Sequence, residues 1–369
     1  MGGGGSISTN VESSSVLCRI LDFFGDANEN YFMAAFFLIS GIFCPASLDR
    51  KGFCDYVLDK LVRLGGPYLI YHIVLGPLLY VWTSAYAGIE VPYFLGGSNI
   101  GPPWFIFWLL NFSILYAVIA QVMPVIRFKM PNPVLFTVVG GFALGVVFHL
   151  LVTTPVGSIG NGFWNMSFWT RGISVHIPFF IGGIIGGRNG WLDSIENMSR
   201  WCKWTLRVIV GGILLLILLS WMVCGVITRK SPKGISWLYV GLIQGVYPVA
   251  MTLMQMQMFH EFLNVNNKFL MGVLGVAAYT VYVIHPWFLA FWTMIYIEIL
   301  KAVHVPIVFD HLLPQVQIHF YTTDAAGKPT SLSEGTLFGG IAMLFVLTQL
   351  TVWPAAYYLR KLPVLNKML

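Results

Sequence analysis

Long apolar stretches separated by short polar segments dominate the pattern along the chain. A helix that crosses a membrane needs about 20 mostly apolar residues, and nine stretches of the chain approach or reach that length. The pattern therefore predicts nine spanning helices. They cover roughly residues 31–46, 66–87, 103–123, 133–153, 173–189, 204–227, 237–258, 270–296 and 335–359.

Glycines mark the first and the fifth of these stretches, which are also short. Gly41 lies in the first, and Gly182, Gly183, Gly186 and Gly187 lie in the fifth. Small residues allow the backbones of neighbouring membrane helices to approach closely. We therefore expect both stretches to pack against other helices rather than to face lipid.

Composition supports the membrane assignment. Hydrophobic residues make up 57% of the chain, charged residues only 10%, and the mean hydropathy is +0.75. Soluble domains carry about 25% charged residues, so this chain must place much of its surface against lipid. The predicted fold class is an all-α polytopic membrane protein, with a polar N-terminal segment over residues 1–30 and a transmembrane domain over residues 31–369. We expect membrane lipid as a partner, and no nucleic acid.

The distribution of basic residues predicts the orientation in the membrane. Loops rich in Lys and Arg stay on the cytoplasmic side. One assignment of the loops places thirteen Lys and Arg residues on one side and seven on the other, which predicts a cytoplasmic C-terminus and an outer loop over residues 297–334. Three basic residues between 229 and 233 fall on the outer side in this arrangement, against the general trend. The five segments predicted to be cytoplasmic are residues 47–65, 124–132, 188–203, 259–269 and 360–369.

Ionisable residues inside the predicted spans are the first candidates for function, because burying such groups in a membrane is costly. His285 has the most support, since Tyr279, Tyr282 and His285 recur every three residues and share one helix face. A packing stripe of aromatic residues would give the same pattern. The other ionisable candidates within or beside spans are His72, His149, His176, Arg171 and Arg188.

The five cysteines show neither the spacing of metal ligands nor that of a disulfide framework. We assign them no chemistry. The sequence predicts no metal site and no tightly bound cofactor.

Three motifs, taken in order, resemble the membrane acyltransferase 3 family. Together they extend over nearly the whole chain, and the branch that looks nearest is the glucan succinyltransferase type named for glucans biosynthesis protein C. The motifs are residues 36–43 with the basic loop that runs to Pro67, the helix start Gly101-Pro102-Pro103-Trp104-Phe105, and the late helix that contains Tyr279, Tyr282 and His285-Pro286.

The resemblance implies a bundle of about ten helices and an acyl-transfer reaction. An acetyl- or succinyl-type group would pass from an acyl-CoA-like donor to a hydroxyl of a carbohydrate or lipid-linked acceptor. The candidate bases are His285 and His176. The candidates for substrate binding are Tyr279, Tyr282, Trp104 and Arg171, and those for the phosphates of the donor are Arg63, Arg127 and Arg188, which would serve equally well as membrane anchors.

One departure from the family pattern concerns its first helix, which carries an Arg and a His regarded as central to acyl transfer. Residues 1–30 offer no match to that helix. Arg63 and His72 are a poor substitute, because nine residues of regular helix correspond to 900° of rotation and place the two side chains on opposite faces. We therefore expect the chain to insert into a membrane and to be inactive without that helix.

Two other functional classes stay open. A polytopic transporter would need no covalent chemistry, and inverted repeats, which would favour it, are not evident in the sequence. A non-catalytic remnant of the acyltransferase fold would keep the helices without the reaction.

Overall fold

The computed structural model describes residues 7–9, 16–90, 103–153, 175–224, 239, 241–265, 267–312, 317–362, 365 and 368. Helices account for most of these residues. In chain order they are α1 (Val16–Glu29), α2 (Phe32–Lys51), α3 (Phe53–Ala87), α4 (Trp104–Ile119), α5 (Pro133–Leu151), α6 (Ile177–Arg188), α7 (Trp191–Glu196), α8 (Arg200–Cys224), α9 (Tyr247–Met258), α10 (Leu270–Ala302) and α11 (Glu334–Leu359).

Six helices in the described part of the chain are long and apolar enough to cross a membrane, and α4 and α6 are shorter apolar helices. This finding confirms the predicted class, an all-α polytopic membrane protein. The number of nine spans stays a prediction. The six long segments are Phe23–Lys51, α3, α5, Arg200–Ser220 within α8, α10 and α11.

Residues 1–30 contain more regular structure than their polar character suggested. Strand β1 (Ile7–Thr9) and helix α1 both lie within them. Acidic residues at 22, 26 and 29 break the apolar pattern of α1, so no continuous apolar run reveals this helix in the sequence. A search for membrane spans overlooks amphipathic helices of this kind.

Three strands of a small four-stranded sheet lie within the segment predicted as the outer loop, and the fourth is β1. Strand β2 (Ile307–Leu312) pairs antiparallel with β3 (Gln317–Thr323), which also pairs with β1 and with β4 (Pro329–Thr330). Alternate residues of β3 are apolar and bury one face of the sheet. Ile318 and Phe320 pack in this way on Ile297 and Leu300 of α10.

The chain divides into two compact units. The first consists of residues 1–20, 58–110 and 266–369, and the second of residues 21–57 and 111–265. The first unit therefore contains most of α3 together with α10, α11 and the sheet. The second contains α2, α5, α6, α8 and α9.

Three π-helical turns, two in α3 and one directly before α9, come just before a proline. In α3 the turns Leu61–Gly65 and Tyr71–Leu75 precede Pro67 and Pro77, and a third turn precedes Pro248 at the start of α9. Proline lacks an N–H, and its ring collides with the carbonyl four residues earlier. The wider π-helical turn makes room for that ring. The position of each proline thus explains the local geometry.

Glycines in α2 and α6 let these two helices of the second unit touch through their backbones. A side chain at Gly41 would collide with the carbonyl oxygen of Phe180, and one at Gly183 would collide with that of Leu38. Gly187 meets the backbone of α2 in the same way. The close packing predicted from these glycines is confirmed.

Candidate active site

The polar face predicted for α10 lies in the first unit. Tyr279 and Tyr282 pack there on a hydrophobic cluster to which α3, α4 and α10 all contribute. The packing interpretation of the aromatic stripe therefore holds for both rings, and their role in binding a substrate stays a prediction. The buried members of the cluster are Tyr68, Tyr71, Ile106 and Val283.

Tyr279 links α10 to α3. Its hydroxyl donates a hydrogen bond to the main-chain carbonyl of Arg63, with an oxygen–oxygen distance of 3.0 Å. The guanidinium of Arg63 forms an ion pair with Asp59, one helical turn earlier, at 3.1 Å, and two thirds of the Arg63 side chain is exposed. The structure therefore brings the backbone of Arg63 to the tyrosine and leaves its charged group at the surface.

His285 makes a hydrogen bond that defines the state of its ring. Its Nδ1 lies 2.8 Å from the main-chain carbonyl oxygen of Tyr282. A carbonyl oxygen can only accept, so the nitrogen that faces it must carry the proton. In a neutral ring Nε2 then holds the lone pair, which is the form a general base requires.

A row of aromatic rings leads from the start of α4 to His285. The ring centroid of Trp104 is 6.4 Å from that of Phe105, which is 6.4 Å from that of Tyr282. The ring of Tyr282 is in turn 6.3 Å from that of His285. The second and third motifs, more than 150 residues apart in sequence, are therefore adjacent in the first unit.

His72 also belongs to the first unit, where its ring lies 4.7 Å from the ring of Tyr68. The rotation argument that separated Arg63 from His72 assumed a regular α-helix. That assumption is wrong, because the π-helical turns of α3 contain both residues and change the angle between them. The two side chains nevertheless have different neighbours, Asp59 for Arg63 and Tyr68 for His72.

The other candidate base, His176, belongs to the second unit. It is 8% exposed, and its ring packs 5.0 Å from the ring of Phe37 on α2. Apolar surroundings of this kind are typical of a histidine that packs between helices.

Arg188, at the end of α6, binds two side chains of the second unit. Its guanidinium forms a two-pronged ion pair with Asp49, in which Nη2 lies 2.9 Å from Oδ1, and it donates a hydrogen bond of 3.0 Å to the hydroxyl of Tyr116. A donor phosphate would have to compete with both partners. The sequence analysis did not predict a role for Asp49 or Tyr116. The position of Asp49 directly before two basic residues was a signal that could have indicated an ion pair.

Arg127 is exposed and lies in a segment without regular structure. The residues on either side of it are bound to one amide side chain: Asn189 donates to the carbonyl of Ile126 at 3.1 Å and accepts from the N–H of Phe128 at 2.9 Å. Asn189 directly follows Arg188, so both predicted donor arginines of this unit lie beside the same turn. Arg171 lies outside the described residues.

A buried group of polar side chains in the second unit was not predicted. The sulfur of Cys44 lies 3.9 Å from the hydroxyl of Ser113, and Tyr56 beside them is fully buried. The sequence offered little signal, because the three residues are far apart in the chain and match no motif. These contacts connect α2, α3 and α4.

Comparison with protein families supports one of the classes left open by the sequence. The family model described as an acyltransferase domain, of the acyltransferase 3 type, matches residues 4–358. The chain belongs to the acyltransferase 3 family. It is therefore a membrane acyltransferase in general terms, and an integral, multi-pass one. The comparisons with curated proteins and with solved structures returned no match.

The predicted residues of this acyltransferase fall into two groups. The first unit brings together Tyr279, Tyr282, His285, Trp104 and the backbone of Arg63. The second unit holds the other candidate base and donor arginines, namely His176, Arg127 and Arg188.

Proposed function

We propose that this acyltransferase moves an acetyl- or succinyl-type group from an acyl-CoA-like donor to a hydroxyl of a carbohydrate or lipid-linked acceptor, with His285 as the base. One observation carries the proposal. The hydrogen bond from Nδ1 of His285 to the carbonyl of Tyr282 leaves the lone pair on Nε2. The ring is half-buried beside a tyrosine, in surroundings that favour proton transfer over hydration.

The reaction needs one proton transfer in each direction. Nε2 of His285 takes the proton of the acceptor hydroxyl while the oxygen attacks the thioester carbonyl and forms the new C–O bond. The tetrahedral intermediate then collapses with cleavage of the C–S bond, and the protonated ring returns the proton to the leaving thiolate. Preorganised hydrogen-bond donors that stabilise the oxyanion contribute as much as the base, and the hydroxyl of Tyr282 is a candidate for that role.

The acceptor side of the proposal rests on the aromatic row. Trp104, Tyr279 and Tyr282 offer ring faces and hydroxyl groups, which suit the alternating apolar and polar faces of a sugar. We include Arg171 as a further acceptor residue. Transfer of succinyl groups to a glucan, as the motif resemblance implies, is the specific form of this proposal.

The donor side rests on basic residues at the ends of helices. Arg63 and Arg127 expose their guanidinium groups, which suits them to bind the phosphates of coenzyme A. Arg188 would do so only by exchanging Asp49 for the phosphate. His176 is a second candidate base, with the packing against Phe37 as its alternative role.

The test uses the full chain and a second form that carries an added first helix of the acyltransferase 3 type, because the sequence predicts that the chain is inactive without that helix. Both forms are purified and reconstituted in lipid vesicles. Labelled acetyl-CoA and succinyl-CoA are supplied separately, each with a soluble glucan and with a lipid-linked sugar, and transfer of the label is measured. Label on an acceptor, beyond that seen with protein-free vesicles, supports the proposal. Uptake of an intact substrate without transfer would identify a transporter, and the absence of both would identify a non-catalytic remnant.

A further inference from the structure

Pro286 directly follows His285 inside the long helix α10. In a regular helix the N–H of residue 286 would donate to the carbonyl of residue 282. Proline has no N–H and cannot make that bond. The carbonyl that loses its helical donor is the one that accepts the hydrogen bond from Nδ1 of His285.

We infer that Pro286 is a positioning residue for His285, and that it acts by releasing the Tyr282 carbonyl to hold the ring in the Nδ1–H tautomer. The inference rests on the proposed role of His285 as the base. Pro286 touches neither substrate in this account, and its effect passes entirely through the carbonyl and the ring.

Two consequences of the proline act together. A buried carbonyl without its helical donor needs another partner, and the Nδ1–H group supplies one from the next turn. Proline also bends the helix away from the carbonyl four residues earlier, which gives the imidazole room to reach that oxygen. The hydrogen bond then fixes both the tautomer and the rotation of the ring, as second partners do for histidines that bind metals.

The spacing of the motif follows from this arrangement. The proline four residues after the carbonyl removes the helical donor, and the histidine three residues after the carbonyl supplies the replacement. The tyrosine side chain at position 282 is a separate feature, since only its backbone takes part. His285 and Pro286 thus act together on the Tyr282 carbonyl rather than as two independent residues.

The variant Pro286→Ala tests the inference because it restores an N–H that competes for the Tyr282 carbonyl. The matched control is Pro354→Ala, since Pro354 also lies inside a long helix of the first unit but follows a tryptophan. Protein labelled with ¹⁵N-histidine gives the tautomer from the chemical shifts of Nδ1 and Nε2, and a His285→Gln spectrum identifies the signals of His285.

We expect the unmodified chain to show the Nδ1–H form at neutral pH and Pro286→Ala to show a mixture of tautomers. The kcat of acyl transfer should fall about 10- to 100-fold, by analogy with the loss seen when a histidine that binds a metal loses its orienting partner, with little change in KM. Pro354→Ala should change neither the tautomer nor kcat.

Two results would overturn the inference. The first is an unmodified chain in which His285 is in the Nε2–H form. This result needs no variant, so the inference can be tested even if the Pro286→Ala protein does not fold. Unchanged ring signals in Pro286→Ala would do the same. A tautomer shift with unchanged kcat would instead support the positioning role and overturn His285 as the base, which separates the two proposals.

Discussion

Arg188 and Asp49 form a two-pronged ion pair between the C-terminal ends of α6 and α2. The pair lies at the end of the interface where Gly41, Gly183 and Gly187 bring the two backbones together. The close contact between α2 and α6 brings the C-terminal ends of the two helices together. The ion pair then links these two ends. The interface combines packing with electrostatics in a single element of the second unit.

Substitution of Gly183 should disrupt this interface. A methyl group at Gly183 would collide with the Leu38 carbonyl, and overpacking of this kind costs about 1–3 kcal/mol. We expect Gly183→Ala to lower the thermal midpoint in detergent. Gly182→Ala is the matched control, because its new methyl group would meet only a side-chain atom of Leu38 at 3.7 Å. Equal midpoints for the two variants would contradict the packing described here.

Arg188→Ala separates a role in packing from a role in donor binding. More than half of the Asp49 side chain is exposed, so the loss of the ion pair should cost no more than about 1 kcal/mol. We expect a small fall in thermal stability and an unchanged KM for the acyl-CoA donor. Arg127→Ala, by contrast, should raise that KM if Arg127 contacts a phosphate. A raised KM in Arg188→Ala alone would reverse these assignments.

Glu261 should make the second unit sensitive to acid. Gln257 donates a hydrogen bond to its carboxylate, and Lys203 and Arg207 lie beside it, so the pKa of Glu261 is lower than usual. A lowered carboxyl pKa contributes stability above the ordinary pKa of about 4.3, and this stability is lost as the pH falls through the lowered value.

The measurement is the thermal midpoint from pH 7 down to about pH 3 for Glu261→Gln and for the unmodified chain. We expect this variant to start from a lower midpoint at pH 7 and to lose less on acidification than the unmodified chain. Glu90→Gln, at an exposed position, serves as the control. Parallel pH curves for Glu261→Gln and the unmodified chain would show that Gln257, Lys203 and Arg207 do not stabilise the charged carboxylate of Glu261.

Two glycosylation sequons test the predicted orientation. Asn165-Met166-Ser167 falls on the predicted outer side and outside the described residues, and Asn197-Met198-Ser199 falls on the predicted cytoplasmic side. In the structure Asn197 donates to the Asp193 carbonyl at 2.8 Å, and Ser199 accepts from the N–H of Cys202. In a eukaryotic secretory membrane we expect modification at Asn165 alone. Mass spectrometry that found a glycan on Asn197 would refute the orientation.

The sequence predicted the fold class because helices that cross a membrane are recognisable as long apolar runs. It did not predict α1 or the four-stranded sheet, because these elements contain no long apolar run. Helix α1 mixes acidic and apolar residues, and β2 and β3 are only 6 and 7 residues long. Long apolar runs indicate membrane-spanning helices, but they do not indicate elements that are stabilised by tertiary packing.

The candidate site was predictable as a set of residues on one helix face, but its chemistry was not. The three-residue spacing indicated that Tyr279, Tyr282 and His285 lie on one helix face. In the structure the two tyrosines pack on one cluster, and the ring of Tyr282 lies 6.3 Å from that of His285. The tautomer of His285 depends on a backbone carbonyl and the proline that releases it, which periodicity does not reveal. Likewise, the ion pair between Arg188 and Asp49 joins residues 139 positions apart, so no local pattern could indicate it.

The most direct test of the account is the rate of acyl transfer by His285→Gln, made in the form that carries the added first helix. Glutamine keeps a polar side chain of similar length but cannot accept the proton, and a positioned base contributes about 10²–10⁴ to the rate. We predict a loss of about 100-fold or more with the thermal midpoint unchanged, while His149→Gln, a half-buried histidine of the second unit, keeps full activity. A His285→Gln protein that transfers acyl groups at the unmodified rate would contradict the central claim.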